Sequence, residues 1–291
     1  MAKGISLHVG VNSVDPNHYR LSAHEGWEGE LKGCEADANR MQAIALENKF
    51  ETSLLITKKA TTTAVSEAIK NAADKLQAGD CFLITYSGHG GQVMDTSRDE
   101  RKDNDLLDGK IDTVDETWCL YDRQLLDDEL QQLWALFKQG VRILFFSDSC
   151  HSGTALRGDL QNALFAPTPP PVPDGMQDRQ APKSVFTATY TYLNNLDFYN
   201  SLQGPKERPK IVANIISFAA CQDDQLARED QSAADPGGLF TKSVAKVWAA
   251  KKFTDYSTFF DEIKTDMKGL VQEPKFLMVG EEVAGMPFEL G

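Results

Sequence analysis

The sequence predicts an α/β fold in which a central, mostly parallel sheet is flanked by helices on both faces. Two observations point there. Short apolar runs alternate with longer stretches of helical periodicity, as in doubly wound chains. Several of the short runs are apolar at successive positions, which marks strands covered on both faces rather than one.

The elements follow in order. Residues 5–11 (ISLHVGV), 53–57 (SLLIT), 81–88 (CFLITYSG), 141–147 (VRILFFS), 211–220 (IVANIISFAA) and 275–280 (KFLMVG) read as strands. Residues 34–49, 61–77, 127–140 and 239–252 place apolar side chains at helical spacing, and Thr62 or Thr63 offers an N-cap to the second. Residues 95–116 are densely charged and predict a surface loop. Residues 166–183 are proline-rich, lack the N–H groups a sheet ladder needs, and predict an exposed extended linker. That linker divides a larger part, 1–165, from a smaller one, 184–291. Because 211–220 resembles another central strand, both parts are expected to share one sheet.

Composition narrows the function. A formal net charge of −13 argues against a phosphate-binding face, so no nucleic-acid partner is expected. No apolar run approaches the roughly 20 residues of a membrane span, and the N-terminal MAKGISLHVGVN lacks a signal-peptide core. No membrane partner is expected either. The five cysteines are odd in number and never CxxC, which indicates neither a disulfide frame nor a zinc cluster. A reducing cytoplasm suits them.

Reactive loops of an open α/β sheet lie beyond the carboxyl ends of its strands. Two strands end in reactive groups. CFLITYSGHGG delivers His89 among glycines, and ILFFSDSCHSG delivers Cys150. If the strands are neighbours, imidazole and thiol meet across the top of the sheet. An imidazole raises the reactive fraction of a thiol and can then protonate a leaving amine. The backbone N–H groups of Gly90 and Cys150 could form an oxyanion hole worth about 3 kcal/mol per donor. His151 adjoins the nucleophile, but alternation along extended backbone turns it away. A cysteine and a histidine taken singly are more often packing or satisfied polar residues; their pairing on two strand ends favours chemistry.

YSGHGG followed by SDSCHSG resembles the metacaspases and bacterial caspase-like peptidases (orthocaspases) of the caspase-fold cysteine proteases. LKGCEADANRM (31–41), DETWCLYD (115–122), LLDDEL (125–130), AACQDDQLARE (219–229) and GGLFTKSV (237–244) extend the resemblance over nearly the whole chain. It implies a caspase-like (caspase-hemoglobinase) fold and a cysteine endopeptidase in which Cys150 attacks and His89 serves as base, then acid. It also implies cleavage after Arg or Lys, with Asp37 and Asp148 lining the S1 pocket beside Cys34 and Ser87. Asp148 independently falls on the same face as Cys150 if the extended geometry continues. The alternative makes Asp37 a helix-start acid and Asp148 a turn residue.

The resemblance further implies Ca²⁺ as an activator, held by Asp115, Asp127 and Asp128, although the chemistry itself requires no cofactor. Arg157 stands where the family often has an acid, and the alternative is a solvated acidic face at a helix start. Arg179 and Lys183 in the linker, and Arg157, are basic bonds that self-processing would cut. The partners implied are protein or peptide substrates with a basic P1 residue, and separate activator or regulator proteins. A bacterial cell-death, stress or defence pathway is the implied setting. One rival is a catalytically silent caspase-fold scaffold acting by interaction. A nucleotide-binding enzyme is disfavoured by the lack of GxxxxGK[ST] and of GxGxxG after the first strand.

Overall fold

The computed structural model describes residues 2–22, 24–94, 114–150, 171–179, 195–202, 209–222 and 225–280. Six strands build the main sheet: β1 (Gly4–Gly10), β2 (Glu51–Ile56), β3 (Cys81–Ser87), β7 (Arg142–Asp148), β9 (Asn214–Ala219) and β12 (Lys275–Val279). Their order is β12-β9-β7-β3-β1-β2. Only β12 runs antiparallel, on one edge; the other pairings are parallel. These are the six apolar runs read as strands, and both parts of the chain contribute to them.

Alternation along the strands feeds two cores. Ile5, Leu7, Val9, Phe82, Ile84, Ile143 and Phe145 face one side, with α2 (Thr62–Lys75) and α3 (Asp127–Trp134) supplying Val65, Ile69, Leu130 and Trp134. Leu83, Leu144, Phe146, Ile216 and Phe218 face the other, against α1 (Cys34–Glu47), α5 (Leu239–Ala250) and α6 (Tyr256–Asp266), while the short α4 (Leu196–Leu202) packs Tyr199 against Leu126. Each buried Leu, Ile or Phe removes enough apolar surface from water to contribute about 1.5–3 kcal/mol, so covering both faces outweighs leaving either wet.

Three details differ from the sequence reading. The N-cap of α2 is Thr61, whose side chain accepts from the Ala64 N–H; Thr62 is already inside the helix. The end of the charged segment, 114–116, belongs to β5 (Val114–Cys119), which pairs with β4 (Gly90–Met94) and β6 (Gln124–Leu126) in a small antiparallel sheet. Residues 95–113 lie outside the described residues.

The third concerns the linker. Residues 171–175 are exposed, as expected of the proline-rich run. The following β8 (Met176–Asp178), however, pairs antiparallel with β10 (Arg228–Asp230), which also pairs with β11 (Gly237–Gly238). Arg179 itself is 0% exposed. Residues 174–179 contain no proline, so they keep their N–H groups and can join a ladder. The expectation of a wholly exposed, unpaired linker is therefore corrected at 176–179.

Candidate active site

Register places the reactive pair. Strands β3 and β7 are parallel neighbours whose last partners are Ser87 and Asp148. Two residues beyond each lie His89 and Cys150, so the chain leaves both strands at one height. The backbones then touch: a Cβ at Gly90 would collide with the Cys150 carbonyl oxygen. Only glycine permits that approach after His89.

The ring nitrogens of His89 are distinguishable. Nε2 lies 3.0 Å from the Gly29 carbonyl, which can only accept, so Nε2 carries the proton. Nδ1 is buried with no hydrogen-bond partner among the described residues and keeps a free lone pair. Trp27 packs on the ring at 4.8 Å between centroids. Burial pushes the imidazole down to about 4; the Gly29 bond opposes that shift, and the Arg179 charge adds to it. Burial also pushes the Cys150 thiol well above its ordinary range. Its Sγ–H points toward the Ala227 carbonyl at 3.6 Å. Burial thus favours a neutral thiol and a neutral imidazole.

Arg179 fills the adjacent cleft. Its Nη2 lies 2.7 Å from Asp37 Oδ2 and 3.3 Å from Glu229 Oε2, and its Nη1 lies 3.1 Å from Asp148 Oδ1. Nη1 also donates to Ser87 Oγ at 2.8 Å and to the Asp148 carbonyl at 3.2 Å. Burial disfavours the guanidinium charge, but the carboxylates, Asp148 foremost, hold Arg179 well above its usual value. Burial raises the Asp37 carboxyl, and the Arg179 charge pulls it back. Cys34 lines the same wall, with Sγ 3.9 Å from Glu229 Oε2 and its thiol pushed up by burial. A Cβ at Gly238 would strike Asp148 Oδ2 and Arg179 Nη1, so the floor requires glycine.

The Arg179 carbonyl oxygen accepts from the N–H of Gly90 at 3.1 Å and of Cys150 at 3.4 Å. These are the two donors expected to form an oxyanion hole. Four acidic-pocket residues named from sequence, Asp37, Asp148, Cys34 and Ser87, converge with them. Glu229 was missed. It is fully buried on β10, and its carboxylate also accepts from the N–H of Lys32 and Gly33. Its sequence signal is one acid of the pair Glu229-Asp230 after Leu226-Ala227-Arg228, which only tertiary pairing makes readable.

Asp127 and Asp128 open α3 and are buried, and the Asp128 N–H donates to Asp127 Oδ1 at 2.9 Å. The Asp115 side chain lies outside the described residues. Among the described residues no three His, Cys, Asp or Glu side chains converge to hold a metal ion. His151, Arg157 and Lys183 also lie outside the described residues.

A thiol and an imidazole thus end adjacent parallel strands of an α/β sheet, beside an acidic cleft and two convergent N–H donors, the groups a cysteine peptidase uses. A family model described as "Caspase domain" matches residues 14–283. The chain belongs to that caspase-domain family of cysteine-type peptidases. It is 27% identical over 231 residues to metacaspase-1 of Schizosaccharomyces pombe, covering 69% of this chain and 52% of that protein. It is 36% identical over 143 residues to metacaspase-1A of Neurospora crassa, covering 45% of this chain and 30% of that one. The chain therefore spans only part of the length of these curated relatives. The crystal structure of protein GSU0716 from Geobacter sulfurreducens is similar with a TM-score of 0.74 and 40% identity, covering 96% of this chain and 94% of that one.

Proposed function

We propose that this chain hydrolyses peptide bonds after Arg or Lys, and that the bond following Arg179 is its first substrate. The observation that carries this is the double seating of Arg179: guanidinium among three carboxylates, carbonyl between two N–H donors. His89 Nδ1 takes the thiol proton and Cys150 Sγ adds to the carbonyl carbon. The resulting oxyanion is stabilised by the N–H groups of Gly90 and Cys150. The C–N bond then breaks, the imidazolium protonates the leaving amine, and water attacks the thioester to free the carboxylate.

An acidic P1 side chain would face Asp37, Asp148 and Glu229, and like charges in a dry pocket exclude it. While Arg179 is seated, the cleft is closed to other basic side chains, so self-cleavage also serves as release. Partners in this reading are polypeptides with a basic P1 residue and a separate activator protein, in a regulated bacterial cell-death, stress or defence pathway. No helix among the described residues is long and apolar enough to cross a membrane.

Intact mass of the purified wild type beside Cys150→Ala tests the proposal. Fragments ending at Arg179 in the wild type alone are expected. Identical uncut masses, together with no labelling of Cys150 by a basic peptidyl electrophile, would instead favour a silent scaffold.

A further inference from the structure

We infer that the cleft selects an acidic residue immediately before the basic one, with Arg228 as the residue that determines it. This rests on the peptidase reading above and deepens it. Residues 176–179 lie against β10 as an added strand. Asp178 pairs with Arg228, Gln177 with Glu229 and Met176 with Asp230, and the Arg179 N–H donates to the Ala227 carbonyl at 2.8 Å. An extended substrate held by main-chain bonds presents alternate side chains to opposite faces. Arg179 goes into the acidic pocket. Asp178 turns the other way, and its Oδ1 accepts from Arg228 Nε at 2.7 Å.

Arg228 is built in rather than free-floating. It is 2% exposed, and its backbone N–H donates to Gln272 Oε1 at 2.8 Å. Gln272 is itself buried and donates to the Ala220 carbonyl at 3.0 Å. A fixed guanidinium on the second-position face forms a charge-assisted bond with a carboxylate, loses it with a neutral side chain, and meets like charge with Lys or Arg. One position further back, Gln177 Nε2 donates to the Glu30 carbonyl at 2.8 Å, and its Oε1 accepts from Gln231 Nε2. The preferred substrate class is thus an exposed polypeptide segment reading Gln-Asp-Arg, cut after Arg.

Three fluorogenic peptides, acetyl-Met-Gln-Asp-Arg, acetyl-Met-Gln-Ala-Arg and acetyl-Met-Gln-Lys-Arg, incubated with the wild-type chain test the inference. The expected kcat/KM order is Asp over Ala by about 10-fold and Asp over Lys by about 100-fold, the range of one charge-assisted bond gained or reversed. Arg228→Gln is expected to erase the Asp preference while still cutting the Ala peptide. Should that variant not fold, the wild-type series decides alone. Equal Cys150-dependent rates on all three peptides would overturn the inference and leave the peptidase reading standing. No Cys150-dependent cleavage of any peptide would sink that reading, and the inference with it.

Discussion

Asp148 shows how a single side chain can serve both frame and pocket. Its Oδ2 accepts from the N–H and hydroxyl of Thr241 at the start of α5, while Oδ1 faces Arg179. Replacing it by Asn keeps an acceptor for Thr241 and removes the charge. Asp148→Asn is therefore expected to stay folded and to lose about 100-fold in kcat/KM on Arg peptides, the scale of one desolvated charge-assisted contact. Glu229→Gln, whose oxygen stands farther from the guanidinium, is expected to cost about 10-fold. Steady-state kinetics with circular dichroism as a fold control checks both, and unchanged turnover in either would remove that residue from the pocket. The placement of His89 and Cys150 at adjacent strand ends was legible in the sequence, because each follows an apolar run and glycines surround His89. Glu229 was not, since its role exists only once β10 lies beside the cleft.

The strands of the main sheet announced themselves through continuous apolar runs, and helices α1, α2, α3 and α5 through their periodicity. The short strands β8, β10 and β11 did not, being two or three residues long and too brief for alternation to register. Helix α6 (Tyr256–Asp266) is marked by its cap. Asp255 and Thr258 form a reciprocal cap, in which Asp255 Oδ1 accepts from the Thr258 N–H and Thr258 Oγ1 from the Asp255 N–H. The consequential miss is β8. Proline content made its surroundings look uniformly unpaired, yet residues 176–179, between Pro173 and Pro182, form the strand and the arginine seated in the cleft.

At the scale of the whole molecule, two buried histidines tie stability to pH. Burial pushes His8 down to about 3 and His89 to about 4, so both stay neutral in the fold. His8 is held by Thr85 Oγ1 at 3.0 Å and Ser6 Oγ at 2.9 Å. The unfolded chain takes up these protons near pH 6.5, so stability is full above that pH and is lost as pH falls toward the folded values. Each ring is expected to remove about 1 kcal/mol between pH 7 and 5.5. Asp37, raised by burial, opposes this with one carboxyl against two rings. Urea unfolding should show a lower midpoint at pH 5.5 than at pH 7. An equal or higher midpoint would contradict two neutral buried rings.

A peptide library varied only at P1, incubated with the wild type and with Cys150→Ala, tests the central claim most directly. The account predicts cleavage after Arg and Lys by the wild type and none by the variant. Cleavage after Asp, or activity that survives without the Cys150 sulfur, would contradict it.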